Sequence, residues 1–258
     1  MARSVRAGWE GWDEYAAFYD WENARTVGRR DVPFWRNLAR RTGGPVLELG
    51  CGTGRVALPL AKARVSLVGV DRSVGMLARA RQRLGRSANV PALVRGDITS
   101  LPFEAHSFPL VIAPYGILQS LLSDRLLKQT LDSVARVVRP GGVFGVDLVA
   151  DVPRWEPYDR QLTLRGRSGP HGLPVALVES VRHDRARKLT VFDQEYIEGK
   201  GAGRRVTRFS VAFRTLSVPD MAKRLERAGF CIDAILGDYK GGPWDPRSDT
   251  WLILARRP

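Results

Sequence analysis

The sequence predicts an α/β fold: a doubly wound, seven-stranded sheet with an antiparallel β insertion after its fifth strand. Three observations predict it. In residues 1–150, short apolar runs alternate with helical segments, as in parallel strands joined by helices. The first apolar run ends in closely spaced glycines. In residues 151–215, apolar and polar residues alternate, which is typical of antiparallel strands.

The first strand–turn–helix unit spans Val46–Ala61 and organises the chain. Val46–Leu49 is a short run that suits a buried strand. Gly50, Gly52 and Gly54 follow at alternate positions. Because glycine has no Cβ, the backbone there can take left-handed angles and approach a ligand closely. The next helix would point its N–H groups and the positive end of its dipole at that ligand, so we expect a nucleotide-type site.

The spacing of these glycines differs from the dinucleotide pattern G-x-G-x-x-G, whose wider last gap makes room for pyrophosphate. The gap here is tighter, and Glu48 stands at the end of the strand. A carboxylate at this point would repel phosphate and suits a ligand that carries positive charge. The alternative interpretation is an ordinary tight turn between a strand and a helix.

Two aspartates follow later strands of the predicted sheet. Asp71 lies 21 residues after Gly50, close to the spacing of about 20 expected for a ribose-binding acid. One carboxylate can accept hydrogen bonds from both ribose hydroxyls. Capping of the next helix is the alternative role for Asp71. Asp97 follows the third strand and precedes Ile98, and its alternative role is a simple Asx turn.

These motifs together resemble those of class I S-adenosylmethionine-dependent methyltransferases, and Arg139-Pro-Gly-Gly before an apolar strand is a further feature of that family. The similarity covers nearly the whole chain and is strongest to a group of bacterial small-molecule methyltransferases. It implies a Rossmann-like fold and S-adenosyl-L-methionine as cofactor, which has an amino group and a sulfonium but no phosphate. It also implies that Asp97 reads adenine and that Ile98 packs on the ring. Further expected cofactor contacts are Tyr15, Cys51, Gly54, Arg72, Met76 and Ala113.

Tyrosines are the candidates for the place where the methyl group is transferred. Tyr15 or Tyr19, in an aromatic N-terminal segment, is expected either to fold over the cofactor or to cover the end of the sheet. Tyr115 follows the fourth strand in Ala113-Pro-Tyr. Base-amine methyltransferases carry an acid or amide at the first position of that motif, so its absence argues against that class. We expect Tyr115 and Tyr19 at the catalytic position without assigning them a chemical role.

Composition bounds the partners of this 258-residue chain, whose formal net charge is +14. The basic residues are mostly arginine and are spread along the sequence, so scattered solvated charge and a nucleic-acid face both stay open. The 2 cysteines suit neither a metal site nor a disulfide framework, which favours a cytoplasmic location. No apolar run is long enough for a membrane helix, and the N-terminal residues show no apolar signal core.

The predicted organisation has three parts: N-terminal helices and cofactor-binding core in 1–150, an antiparallel lid in 151–215, and completion of the core sheet in 216–258. The lid could roof the active site or form a homodimer face. The expected reaction is methyl transfer to a small-molecule N, O or C nucleophile. The alternatives are an RNA or protein methyltransferase and a non-catalytic cofactor-binding module. The predicted core strands are 46–49, 65–70, 90–95, 110–113, 143–149, 231–236 and 250–255, and the main predicted helices are 31–41, 73–84, 124–138 and 217–228.

Overall fold

The computed structural model of the protein describes residues 11–26, 28–84, 90–149, 156–168, 172–248 and 250–258. Its strands are β1 Val46–Leu49, β2 Leu67–Asp71, β3 Ala92–Arg95, β4 Phe108–Ala113, β5 Val138–Val149, β6 Tyr158–Ser168, β7 Leu173–Asp184, β8 Leu189–Glu198, β9 Arg205–Arg214, β10 Cys231–Leu236 and β11 Thr250–Arg256. Its helices are α1 Trp12–Asn23, α2 Val32–Thr42, α3 Ala57–Lys62, α4 Val74–Leu84, α5 Asp124–Val137 and α6 Val218–Arg227.

The larger sheet has seven strands in the order β3-β2-β1-β4-β5-β11-β10. The first five strands in sequence run parallel, and β11 pairs antiparallel with both β5 and β10. Val46 of β1 pairs with Leu67 on one side and with Leu110 on the other, so the strand order reverses at β1. Ligands of open α/β sheets bind at such a switch point, beyond the carboxyl ends of the strands.

Helices cover both faces of this sheet, which explains why its central strands are continuous apolar runs. All six residues of β4 are buried. On one face, α5 and α6 supply buried Leu127, Leu131 and Met221. On the other face, α2 and α3 supply Trp35 and Leu60, each fully buried. The predicted doubly wound, Rossmann-like fold is confirmed.

The smaller sheet, β6-β7-β8-β9, is antiparallel and lies in sequence between β5 and α6, as predicted. We call it the lid sheet. Its inner face packs on α1, where Phe18 stacks on Tyr196 with ring centroids 4.0 Å apart. Tyr15 and Trp21 of α1 join the same apolar cluster. Helix α1 therefore lies between the lid sheet and the rest of the protein.

Several predicted boundaries differ from the observed ones. Strand β5 begins at Val138 rather than Val143, because Val138 already pairs with Phe108 of β4. Residues 139–142 form an irregularity within the strand, in which Gly141 has φ 74° and its N donates to Arg257 O at 2.8 Å. The alternating pattern indicates a strand over 161–165 only, whereas β6 runs over 158–168. Its pairing with β7 continues through polar residues on both sides of that pattern. The aromatic N-terminal segment contains two helices, and the second, α2, agrees with the predicted helix 31–41 to within one residue at each end.

Some features of the sequence lie outside the described residues, namely Trp9, Gly85 and Asp249. Within the described part of the chain, no helix combines the length and the apolar character that a membrane crossing requires.

Candidate cofactor and active site

A cleft of about 820 Å³ opens at the carboxyl ends of β1, β2 and β4. Trp12 and Tyr19 of α1 and Phe213 of β9 stand over it. The cleft therefore lies at the switch point of the sheet and is roofed by α1 and the lid sheet. Eleven of the sequence-predicted site residues line it: Tyr19, Glu48, Gly50, Cys51, Gly52, Asp71, Arg72, Met76, Asp97, Ile98 and Tyr115.

The glycine turn after β1 takes the left-handed conformation at every second residue, with φ values of 61° at Gly50, 53° at Gly52 and 78° at Gly54. A Cβ on Gly50 would lie 2.6 Å from Ile117 Cδ1, so a side chain would close this part of the cleft. Gly54 does not line the cleft. A Cβ there would meet Leu58 at 2.7 Å, so Gly54 permits close packing at the start of α3 instead.

Asp71, at the end of β2, fixes two backbone segments of the site. Its Oδ2 accepts from Gly52 N and its Oδ1 accepts from Ser73 N, each at 2.8 Å. Burial raises the pKa of the Asp71 carboxyl, although these backbone hydrogen bonds lower it. A carboxylate offers about four lone-pair positions, so capacity remains for two ribose hydroxyls. The capping role and the ribose-binding role are therefore compatible.

Asp97 lines the cleft and also forms an Asx-type turn, which was the alternative role considered for it. Its Oδ1 accepts from Thr99 N at 2.9 Å and from Thr99 Oγ1 at 2.7 Å. Its Oδ2 accepts from Arg72 Nη1 at 3.1 Å across a solvent-exposed ion pair. Ile98 beside it is partly buried against the core, and Met76 is 2% exposed at the cleft wall. Asp97 and Ile98 of this turn and Met76 of α4 thus present one polar and two apolar side chains to the cleft.

Glu48 is the most unusual side chain in this wall. It is 3% exposed, and its Oε2 has no hydrogen-bond partner among the described residues. Burial raises the pKa of this carboxyl well above its ordinary value, although the charge of Arg55 lowers it. An unpartnered buried carboxylate oxygen is costly unless a ligand supplies a donor. Together with the glycine turn, Glu48 fits a cofactor that carries an amino group and lacks phosphate.

A buried ion pair that the sequence did not indicate supports the same wall. Arg55 Nη1 and Nη2 donate to the two carboxylate oxygens of Asp31 at 2.5 Å and 2.7 Å. Trp35 Nε1 also donates to Asp31, at 3.2 Å. The Arg55 guanidinium lies 4.9 Å from the ring centroid of Tyr115. Burial raises the pKa of Tyr19 to about 12, although the nearby charge of Arg55 lowers it.

Tyr115 is held in a left-handed conformation, with φ 61°, and Gly116 follows with φ 64°. Asp147 of β5 fixes this turn, because its Oδ1 accepts from Gly116 N at 2.9 Å. Its Oδ2 accepts from the Tyr239 hydroxyl at 2.7 Å. Burial raises the pKa of Asp147 to about 7. Asp147 was not among the predicted residues, because nothing in the sequence of β5 separates it from an ordinary strand residue.

Two predicted cofactor contacts lie elsewhere. Tyr15 does not line the cleft: its ring centroid is 5.3 Å from that of Phe209 in the lid sheet, and its hydroxyl donates to Glu22 at 2.8 Å. The apolar face of α1 that contains Tyr15 is turned to the lid sheet rather than to the cofactor. Ala113 is fully buried at the end of β4 and does not line the cleft either, because Pro114 and Tyr115 cover it.

Helix α1 is tied to the cofactor side of the cleft by two aspartates. Asp13 Oδ1 accepts from Ser73 Oγ at 2.5 Å and from Gly75 N at 3.1 Å. Asp20 Oδ1 accepts from Thr53 Oγ1, in the glycine turn, at 2.7 Å. These contacts hold α1 across the site. In the described ranges, no group of three or more His, Cys, Asp or Glu side chains could hold a metal ion.

Comparison with known proteins agrees with this geometry. A family model described as a methyltransferase domain matches residues 46–142, which include the glycine turn, Asp71, Asp97 and Tyr115. By this match, residues 46–142 are a methyltransferase domain. A demethylmenaquinone methyltransferase of Clavibacter sepedonicus is 35% identical over 50% of this chain and 53% of its own length. The chain spans about half the length of the curated relatives it matches.

Solved structures extend the similarity beyond the matched segment. The sugar N-methyltransferase KedS8 from Streptoalloteichus is 17% identical, with a TM-score of 0.75 over 100% of this chain and 96% of that one. The amino pentose methyltransferase CalS10 from Micromonospora echinaspora, solved with bound S-adenosylmethionine, is 20% identical, with a TM-score of 0.69 over 93% and 96% of the two chains. These similarities show a shared fold.

Proposed function

We propose that the protein transfers a methyl group from S-adenosylmethionine to an N, O or C nucleophile of a small molecule. The observation that carries this proposal is the cleft of about 820 Å³, which lies over the glycine turn and is roofed by α1 and the lid sheet. A covered cleft of this size suits a cofactor together with a small acceptor and disfavours a large, flat substrate.

In this proposal, Asp71 holds the ribose, Asp97 and Ile98 hold the adenine, and Glu48 receives the amino group. The cofactor supplies an electrophilic methyl on a positively charged sulfur. The acceptor's lone pair forms a bond to the methyl carbon as the carbon–sulfur bond breaks and sulfur keeps the bonding pair. The protein contributes mainly by holding the two reactants in line, which can be worth roughly 7–11 kcal/mol.

Tyr19 and Tyr115 are proposed to position the acceptor rather than to take its proton. Both residues line the cleft, and burial raises the pKa of each phenol. A phenol with a raised pKa stays neutral at pH 7 and acts as a hydrogen-bond donor and acceptor. The guanidinium of Arg55 beneath Tyr115 and the Asp147 contact to Gly116 keep that ring in place.

The net charge of +14 favours one alternative, an RNA or protein methyltransferase. Several arginines of the lid and core are, however, paired with acids: Arg182 with Asp193, Arg208 with Glu195 and Arg256 with Asp233. Binding to RNA that falls steeply with salt would support the alternative, because phosphate contacts release counterions. We expect no RNA binding at physiological salt.

The reaction is tested with cofactor labelled on the transferred methyl group. The purified protein and the labelled cofactor are incubated with cell extract, and label is counted in RNA, protein and small-molecule fractions. We expect label in the small-molecule fraction, and none with an Asp71→Ala variant. Label in RNA or protein alone would overturn the small-molecule assignment. Cofactor binding without transfer to any fraction would favour a non-catalytic binding module.

The same proposal assigns the three parts of the chain. Residues 1–150 and 216–258 build the cofactor-binding core, 151–215 serve as the lid, and the protein works in the cytoplasm. The exposed edge strand β6 supports a further role of the lid as the face between two copies. Sedimentation equilibrium measures this directly, since a dimer has twice the 28.7 kDa mass of the chain.

A further inference from the structure

A second polar group lies between α1 and the lid sheet, beyond the cleft described above. Glu22, in the last turn of α1, accepts hydrogen bonds from the hydroxyls of Tyr15, at 2.8 Å, and of Tyr196. The residues 22 and 196 lie on different layers of the fold, so the carboxylate bridges α1 and β8. Burial raises the pKa of Glu22, although the two tyrosine hydrogen bonds lower it.

A second carboxylate stands beside the first. Glu179 of β7, 7% exposed, accepts from the Tyr158 hydroxyl at 2.5 Å and from Gln194 Nε2 at 2.8 Å. Gln194 and Tyr196 lie on the same face of β8, two residues apart, and donate to Glu179 and Glu22 respectively, so the two carboxylates are neighbours. We call this group the acidic cluster; its members are Tyr15, Glu22, Tyr158, Glu179, Gln194 and Tyr196.

One polar atom of the cluster is left without a partner. Gln194 is 5% exposed, and its Oε1 accepts no hydrogen bond from the described residues. Its Nε2 donates to Glu179, so the amide points into the cluster. Buried acceptors of this kind are normally satisfied by the protein, by water or by a ligand. The unpartnered oxygen therefore marks a place where a donor is missing.

A count of donors and acceptors shows what kind of group is missing. Two carboxylates offer about eight lone-pair positions, whereas three phenols and one amide supply about five hydrogens. Within the described ranges, no Lys, Arg or His forms an ion pair with Glu22 or Glu179. An ammonium group supplies both the hydrogens and the positive charge. The rings of Tyr15, Trp21 and Tyr196 nearby also favour a cation.

The acidic cluster adjoins the place where the acceptor must bind. Tyr19, one turn before Glu22 on α1, lines the cleft. Tyr15, whose hydroxyl donates to Glu22 at 2.8 Å, has its ring centroid 5.3 Å from that of Tyr19, so Tyr15 and Tyr19 connect the cluster to the cleft. Tyr158, on the edge strand β6, is partly exposed and forms the outer wall of the cluster.

We propose that the acidic cluster binds an amine of the acceptor, through Glu22 and Glu179, and that the substrate is a small molecule carrying a primary or secondary amine. This inference rests on the proposed methyltransferase function and names the substrate class of the same site. The net charge of the chain is +14, whereas the two carboxylates make the acidic cluster locally negative.

Two substitutions test the assignment: Glu22→Gln and Glu179→Gln. Each keeps the size and one acceptor oxygen while removing the charge. With labelled cofactor and extract, we expect the wild-type product to bind a cation exchanger at acidic pH. In each variant, the initial rate at which label enters that product should fall about ten- to hundredfold, which is the effect of losing one charge-assisted hydrogen bond. Cofactor affinity should not change.

Glu195→Gln is the matched control. Glu195 is a 6% exposed glutamate of β8, the strand that also contains Gln194 and Tyr196. Its side chain lies on the opposite face of that strand, where it pairs with Arg160 and Arg208. Its neutralisation perturbs the lid sheet without touching the cluster, so labelling should persist. Equal losses in all three variants would reduce the cluster to a structural contact and overturn the inference.

The two proposals fail in different ways. A labelled small molecule that is neutral or anionic would overturn the amine assignment and leave the methyltransferase function standing. A binding test that needs no methyl transfer uses benzylamine and benzyl alcohol as probes. We expect benzylamine to bind at least about tenfold more tightly, and Glu22→Gln to remove the difference. Equal binding of the two probes to the wild type would overturn the inference.

Discussion

Replacement of Arg55 by methionine should destabilise the protein strongly. The guanidinium makes two short hydrogen bonds to Asp31, at 2.5 Å and 2.7 Å, and the side chains are only 9% and 2% exposed. Methionine fills much of the same space but leaves the Asp31 carboxylate buried with Trp35 Nε1, at 3.2 Å, as its remaining side-chain partner. Loss of one partner from a buried pair typically costs about 3–5 kcal/mol.

The double variant Asp31→Asn/Arg55→Met separates the two contributions to this cost. Most of the penalty of the single change is the uncompensated charge, so removing that charge should recover about 2 kcal/mol or more. The exposed pair Lys128–Asp132, with side chains 75% and 51% exposed, provides a control. Lys128→Met should change the stability little, because exposed pairs are screened by solvent.

Urea unfolding followed by tryptophan fluorescence measures these differences. With an m value of about 3 kcal/mol/M, the midpoint for Arg55→Met should fall by about 1–1.7 M. The affinity for S-adenosylmethionine should fall as well, because the Tyr115 ring packs against this guanidinium. A loss below about 1 kcal/mol in the single variant, or no recovery in the double variant, would refute the reasoning.

Three further predictions concern the same region. Gly50→Ala should abolish cofactor binding, because the new Cβ would lie 2.6 Å from Ile117 Cδ1 at a φ of 61°; calorimetry that finds wild-type affinity would contradict this. The pKa of Asp147 is raised to about 7 by burial, so its contribution to stability should be lost as pH rises from about 4 to 7, and Asp147→Asn should flatten urea midpoints over that range. Cys231 is exposed and Cys51 is buried with a raised pKa, so iodoacetamide should modify one thiol in the native protein, and rapid reaction of both would contradict the fold around the glycine turn.

Local signals were sufficient to predict many of the residues that line the cleft. Strand β1 was predicted with its observed bounds, because a short run that ends in glycines has few alternatives. Asp71 was found by its spacing from Gly50, since the chain length of a strand–helix–strand unit fixes where the second strand ends. The start of β5 was predicted too late, because Pro140 and Gly141 do form a local irregularity, with φ 74° at Gly141, but Val138 before them already pairs with β4.

The supporting contacts were not predictable from local pattern. Asp31 and Arg55 are 24 residues apart, and neither stands in a motif that indicates pairing. Glu22 and Tyr196 are 174 residues apart and meet only because the lid sheet folds onto α1. The sequence indicated an aromatic N-terminal segment but not which surface its side chains cover, and the structure packs Tyr15 against Phe209 of the lid sheet. The cofactor contact of Tyr15 stays a prediction.

Direct binding of S-adenosylmethionine tests the central claim, which is that the cleft over the glycine turn holds this cofactor. Isothermal titration of the wild type and of Asp71→Asn, both checked for folding by circular dichroism, makes the comparison. We predict one cofactor per wild-type chain and an affinity at least about tenfold weaker in the variant, as expected for loss of a charged hydrogen-bond acceptor. Absence of binding to the folded wild type, or equal affinity in the variant, would contradict the account.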